Sequence, residues 1–258
     1  MATAAQNEAI AAADKPSGDH VWRMRCELAA AYRLVALFDW DDHVATHLSV
    51  RLPDGTFLLN PFGLMFDEIT ASSLMRLDLD GNLVEPCDFP TNPAGFNIHA
   101  GLLAARPEAN SVMHLHTRDG VAVSALQEGL LPLNQNALNV WHDLAYHAFE
   151  GIASAQDERE RLAADISDKH LMILRNHGTL TLGRSIGAAF TRLYMLEWAC
   201  TAQVRTLSMG RALQLPSDAV IAKQGAMMSG DWVEAFAETQ FWPAMLRKAL
   251  RDCPGFDS

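Results

Sequence analysis

Ser111-Val112-Met113-His114-Leu115-His116 alternates apolar and imidazole side chains toward its end, the pattern of a short β-strand. Successive side chains on a strand point to opposite faces. His114 and His116 therefore project from one face, while Leu115 turns into the layer behind. Two imidazoles so placed can converge on one cation, and neutral imidazole is the commonest protein ligand for zinc and related ions. Alone, the pair equally fits a surface patch or a hydrogen-bonded core pair. A third ligand would complete a site, and Asn176-His177-Gly178 offers one at a turn between the apolar runs LMILR and TLTLG. Gly178 is expected to supply the backbone freedom that exposes the side chain before it.

Working outward, Arg106-Pro107 stops a helical pattern running from about Phe96 to Ala105, because the residue before proline is pushed out of the helical region. A helix is expected to follow the histidine strand, from about Gly120 to Glu128, and Leu133 to Val140 fits no element. Further upstream, Val21 to Phe38 places apolar residues at helical spacing with Arg23, Arg25, Glu27 and Arg33 between them, an amphipathic helix. Short β-rich pieces separated by Pro53-Asp54-Gly55 and Asp80-Gly81-Asn82 read as antiparallel hairpins. Downstream come a charged helix over 157–168, a strand–turn–strand through His177, and a long helix from Ile186 to Met209. Two helices are expected after Leu215-Pro216, ending near Arg251. Strand runs covered by helices predict an α/β fold: a three-layer α/β/α domain with a mainly antiparallel central sheet. The expected organisation is an N-terminal arm over 1–20, the domain over 21–210, and a helical tail over 211–258 packed on the domain or on a neighbouring subunit.

At 258 residues, the chain suits one large domain better than two independent cores. A net charge of −11 leaves no basic stripe to neutralise phosphates, which argues against nucleic acid or an anionic membrane as partner. Cys26, Cys87, Cys200 and Cys253 lie far apart, so neither a disulfide framework nor a zinc finger is expected. With no signal-peptide pattern and no run long enough to span a bilayer, the expected location is the cytoplasm.

The segment RPEANSVMHLHTRDGVAVSAL closely resembles the core signature of the class II aldolase/adducin family, and LMILRNHGTLTLGRSIGAAFTRLYMLEWACTAQV resembles its second signature. The resemblance runs from about Val21 to Gly210. It implies that His114, His116 and His177 bind one divalent metal ion, zinc first, with manganese or iron as alternatives. Three histidines and an open position also suit a catalytic zinc-type site on chemical grounds. A homo-oligomer, a tetramer, is implied by the family habit, with a small molecule as the substrate.

The chain departs from the family's sugar-phosphate aldolases at two places. Their Ser-Ser-Glu motif before a helical histidine is matched by Pro93-Ala94-Gly95 before His99, and glycine cannot act as a base. Their phosphate-cradling loops are matched by Thr46-His47-Leu48-Ser49 and Pro61-Phe62-Gly63, where Phe62 removes a donor. Runs such as NPFGLMFDEITASSLMRLDLDG resemble the adducin branch instead. Expected roles are therefore Tyr146 and His99 as proton donors, His47, Gly63 and Asn97 as substrate contacts, and the three histidines as metal ligands. His142 and His147 are expected on a solvated loop, and His170 in a structural role. The expected activity is a metal-dependent lyase, by aldol cleavage or decarboxylation, on an unphosphorylated hydroxy or keto compound. The alternatives are a non-catalytic adducin-like binding or assembly module that keeps its metal, and an iron-dependent oxygenase.

Overall fold

A computed structural model describes residues 18–151, 156–229 and 231–258. Most of the proposed N-terminal arm lies outside the described residues. Its end does not: helix α1 starts at Gly18 and runs to Leu37. Among the described residues the strands form one seven-stranded sheet of order β3-β2-β1-β4-β7-β6-β5. These are β1 (His47–Arg51), β2 (Phe57–Leu59), β3 (Met75–Leu77), β4 (Ser111–Leu115), β5 (Leu144–His147), β6 (Leu171–Leu174) and β7 (Gly178–Gly183). Every neighbouring pair is antiparallel except β5 with β6, so the sheet is mixed and mainly antiparallel.

Alternation along β4 divides the molecule into layers. Met113 and Leu115 enter a core shared with α1, with α6 (Ile186–Ser208) and with Trp242 and Leu246 of the C-terminal helix. Val112 joins the opposite core, beneath α2 (Pro93–Ala105) and α5 (Gln156–Ile166). On β1 the same alternation sends Leu48 and Val50 to the first core, leaving His47 and Ser49 on the α2 face with His114. The sheet thus turns histidines of two adjacent strands toward one helix, and His47 lies directly opposite His114 in the ladder.

Leu133 to Val140 is largely helical: α4 covers Gln135–Val140, started by Asn134, whose side chain accepts the Ala137 N–H at 3.1 Å. Leu144–His147 is strand β5 rather than loop, because it pairs in parallel with β6, a crossover whose partner is distant in sequence. The helix after β4, α3, is shorter than its apolar pattern suggests, Arg118–Ser124. The C-terminal region holds α7 (Asp218–Met228), α8 (Trp232–Phe236), a π-helical turn and α9 (Trp242–Asp252). Trp242, Leu246, Ala249 and Phe256 are buried in the α1/α6 core. No helix of the described residues is long and apolar enough to cross a membrane.

Candidate metal centre

His114 near the end of β4, His116 just beyond it and His177 in the β6–β7 turn come together, with one ligand atom from each within 4.8 Å of the others. The ring centroids of His177 lie 4.7 Å from those of both His114 and His116. The β6–β7 turn is made by Asn176 at φ +54°, a left-handed conformation that asparagine tolerates. The conformational role expected of Gly178 therefore belongs to Asn176. Glycine is needed at 178 for another reason: a Cβ there would fall 2.2 Å from the Leu115 carbonyl oxygen, so only glycine lets β7 start this close to β4.

Outer partners fix which nitrogens face inward. His114 Nδ1–H donates to the Thr179 carbonyl at 2.9 Å, and His116 Nδ1–H donates to Asp42 Oδ2 at 3.1 Å. Each ring then presents its Nε2 lone pair to the cluster. The two Nε2 atoms stand 2.9 Å apart, where facing lone pairs repel unless a cation or proton lies between them. Burial, then the neighbouring His116 and His177, drives His114 well below the ordinary histidine range. Burial and His116 lower His177 to about 4. Both are neutral at pH 7, as ligation requires. Asp42 is pushed up by burial, but hydrogen bonds from His116 and His43 outweigh this and hold the carboxylate below its usual range. The donor set fits a zinc-type ion: neutral imidazoles, orienting acceptors behind two of them, and an open side.

The open side is a cavity of about 350 Å³ lined by Thr46, His47, Asn92 and Asn176, among others, with the three histidines in its wall. His47 lines this cavity beside Gly95. A Cβ on Gly95 would lie 2.4 Å from His47 Cδ2 and 2.8 Å from its Nε2. The His47 ring therefore occupies the space into which a side chain at 95 would project. Behind it, His47 Nδ1 meets His99 Nε2 at 2.8 Å, and His99 Nδ1 meets the Ser49 hydroxyl. His99 is fully buried, and burial lowers it to about 3. It stands behind His47 and has no exposed edge to offer a substrate.

The remaining expected contacts are dispersed. Tyr146 is directly opposite Ile173 in the β5–β6 ladder and packs in the α6-side core. Its hydroxyl accepts the Leu130 N–H at 3.1 Å, so it sits on the sheet face opposite the triad. Its neighbour His147 faces the triad side, buried rather than solvated, with Nδ1–H donating to Asp165 at 2.7 Å. His142 is half-buried in a short helical turn. Asn97 is turned to Arg159, and Gly63 sits at φ +115° in an open turn with no neighbour near its Cβ position. Neither lines the cavity. His170 pairs with Asp143, consistent with structure rather than chemistry. Asp42 carried no sequence signal, because its partner is far along the chain.

A histidine cluster able to hold a metal stands in the wall of a cavity on a mixed, helix-covered sheet, an α/β domain with a candidate metal site. The chain belongs to the family described as Class II Aldolase and Adducin N-terminal domain, whose sequence profile matches residues 26–204. A candidate aldolase class 2 protein of Caulobacter vibrioides is 48% identical over 241 residues, covering 91% of this chain and 92% of that one. Alpha-adducin of Mus musculus is 41% identical over 190 residues, 72% of this chain but 26% of adducin. The crystal structure of an aldolase II superfamily protein from Pseudomonas syringae superposes with a TM-score of 0.84 at 46% identity, covering 92% of this chain and 96% of that one. Membership supports aldolase-like lyase chemistry in general, and the class II aldolases of the family are generally dependent on a divalent metal.

Proposed function

We propose that this protein is a metal-dependent lyase that breaks a carbon–carbon bond in a small, unphosphorylated hydroxy or keto compound. The observation that carries the reading is the pairing of the triad with His47, whose ring fills the room beside Gly95 in the same cavity. His114, His116 and His177 would hold the ion, zinc by ligand chemistry. Bound there, it supplies Lewis acidity to a substrate carbonyl or hydroxyl oxygen.

The chain's own groups then handle the proton. In one tautomeric arrangement, His47 Nδ1–H donates to His99 Nε2 and His99 Nδ1–H donates to Ser49, leaving His47 Nε2 as an acceptor. In the reverse arrangement, Ser49 donates to His99, His99 donates to His47, and His47 Nε2 carries a proton. Aldol cleavage would use the first: His47 Nε2 takes the hydroxyl proton, the carbon–carbon bond breaks to leave a carbonyl on one fragment and an enolate on the other, and the enolate carbon takes that proton back from His47. Decarboxylation would use the second: carbon dioxide leaves, its bonding electrons stay on carbon, and that carbon takes a proton from water through His47 Nε2, the water becoming hydroxide. Either role is general acid–base catalysis, worth roughly 10²–10⁴-fold. His99 acts through His47 as a positioning residue. Exposed Phe62, where a phosphate-binding serine would stand by resemblance, supports an unphosphorylated substrate.

A second reading, an adducin-like assembly module that keeps its metal, is favoured by the identity to alpha-adducin. A homo-oligomer is proposed under either reading. The test is a screen of unphosphorylated hydroxy and keto acids with zinc-, manganese- or iron-loaded protein, alongside His47→Gln. Turnover lost in H47Q with metal retained is the expected result. Retained metal and no turnover of any such acid would favour the module.

A further inference from the structure

We propose that Glu197, a buried glutamate on the far side of the sheet, is a positioning residue of the metal centre. This rests on the triad being a metal site. Glu197 lies in α6, is 1% exposed and is separated from the histidines by the sheet itself. Its two carboxyl oxygens accept from two threonine hydroxyls, Oε2 from Thr117 and Oε1 from Thr179. Thr117 directly follows His116. Thr179 lies two residues after His177, and its carbonyl takes the Nδ1–H of His114. One carboxyl group thus spans the segments that carry all three histidines.

The surrounding packing gives this clamp little slack. Thr117 Oγ1 also accepts the Gly120 N–H at 2.9 Å, starting α3. A Cβ on Gly120 would fall 2.6 Å from Thr117 Oγ1 and 3.2 Å from Glu197 Oε2. On the other strand, Gly178 already brings β7 against the Leu115 carbonyl. Nothing else on the α6 side ties Thr117 to Thr179 through a single group among the described hydrogen bonds. An acidic side chain, rather than leucine, is placed in this apolar layer at a burial cost. Burial accordingly raises Glu197 to about 7. The geometry accounts for that cost: the carboxyl holds the end of β4 and the start of β7 at the separation the ligands need.

The experiment compares zinc affinity, by competition with a chelating dye, in wild type, Glu197→Ala, Glu197→Gln and Leu196→Ala. Thermal midpoints of the metal-free proteins are measured alongside. Leu196 is the neighbouring fully buried residue, and L196A is a control for loosening α6 without touching either threonine. The expected result is an affinity lower by about 10–100-fold in E197A, mostly restored in E197Q, and unchanged in L196A despite its lower midpoint. Equal affinity in wild type and E197A, or equal losses in E197A and L196A, would overturn the inference. Should E197A not fold, Thr179→Val removes one hydroxyl of the clamp while keeping its shape, and the same loss is expected there. Wild type that fails to bind zinc would instead sink the metal-site reading itself.

Discussion

Single residues decide what this site can do, and Gly95 with His47 shows it most sharply. Glycine inside a helix normally costs about 0.5–1 kcal/mol against alanine, so Gly95→Ala in α2 would ordinarily stabilise. Here the new Cβ would lie 2.4 Å from the His47 ring. The expected outcome is the opposite sign, a loss of roughly 1–3 kcal/mol from overpacking, read from urea unfolding. In a His47→Ser background the same change is expected to be neutral or stabilising, and that coupling distinguishes a steric swap from a general helix effect. Asp42 offers a second case. Asp42→Asn weakens the acceptor behind His116, and a 10–100-fold fall in zinc affinity is expected by competition titration. The histidine cluster was legible in part: strand spacing puts His114 and His116 on one face and the turn offers His177 as a third partner, while their reading as ligands came from the family resemblance. Tyr146 was not. Strand alternation separates it from His147 by one step, and nothing local sets which of the two faces the triad. Only the parallel pairing of β5 with β6 fixes that phase.

At the level of elements, α2 carries the histidine network, and its start is set by Asn92. The Asn92 side chain accepts the Ala94 N–H at 3.1 Å and the Gly95 N–H at 3.4 Å. Asn92→Ala should cost about 1 kcal/mol through the lost cap, measured by chemical denaturation. The histidines of α2 and of the β6–β7 turn also set a pH response in the metal-free chain. His99 falls from 6.5 to about 3 through burial, and His177 to about 4, so the unfolded chain binds protons that the folded one refuses. Stability is therefore fully present above pH 6.5 and is lost as pH falls from there toward about 3. Urea midpoints across that window are expected to drop, and His99→Gln, which has no titrating ring, should flatten the slope. Elements with strong local signals were readable: the helix ended by Arg106-Pro107, the Asp54-Gly55 reversal and the long α6. Strand β5 was not, because four residues without a hairpin partner nearby carry too little pattern to separate strand from loop.

Across the molecule, one hydrophobic core packs α1 against the C-terminal region. Trp242 packs on Phe190 at 5.4 Å between ring centroids, and its indole N–H donates to Glu27 of α1 at 3.1 Å. The Ala71 N–H donates to the Phe256 carbonyl at 2.7 Å, which pins the C-terminus beside the loop after β2. A helical tail was expected from the sequence, but amphipathic spacing cannot say which surface a helix will cover. Trp242→Ala is expected to cost about 3–5 kcal/mol of global stability, with loss of near-ultraviolet signal at the same denaturant concentration as the far-ultraviolet signal. The sheet and its layers bring β1, β4, α2 and the β6–β7 turn to one cavity, and the proposal that the cavity holds one metal ion is the one on which the proposed chemistry rests. Zinc content per chain, measured by mass spectrometry after zinc loading and gel filtration, tests it directly. One equivalent is expected in wild type and none in H114A, H116A or H177A, with circular dichroism unchanged. Wild type without stoichiometric zinc, or alanine variants that keep it, would mean that these three histidines do not hold an ion.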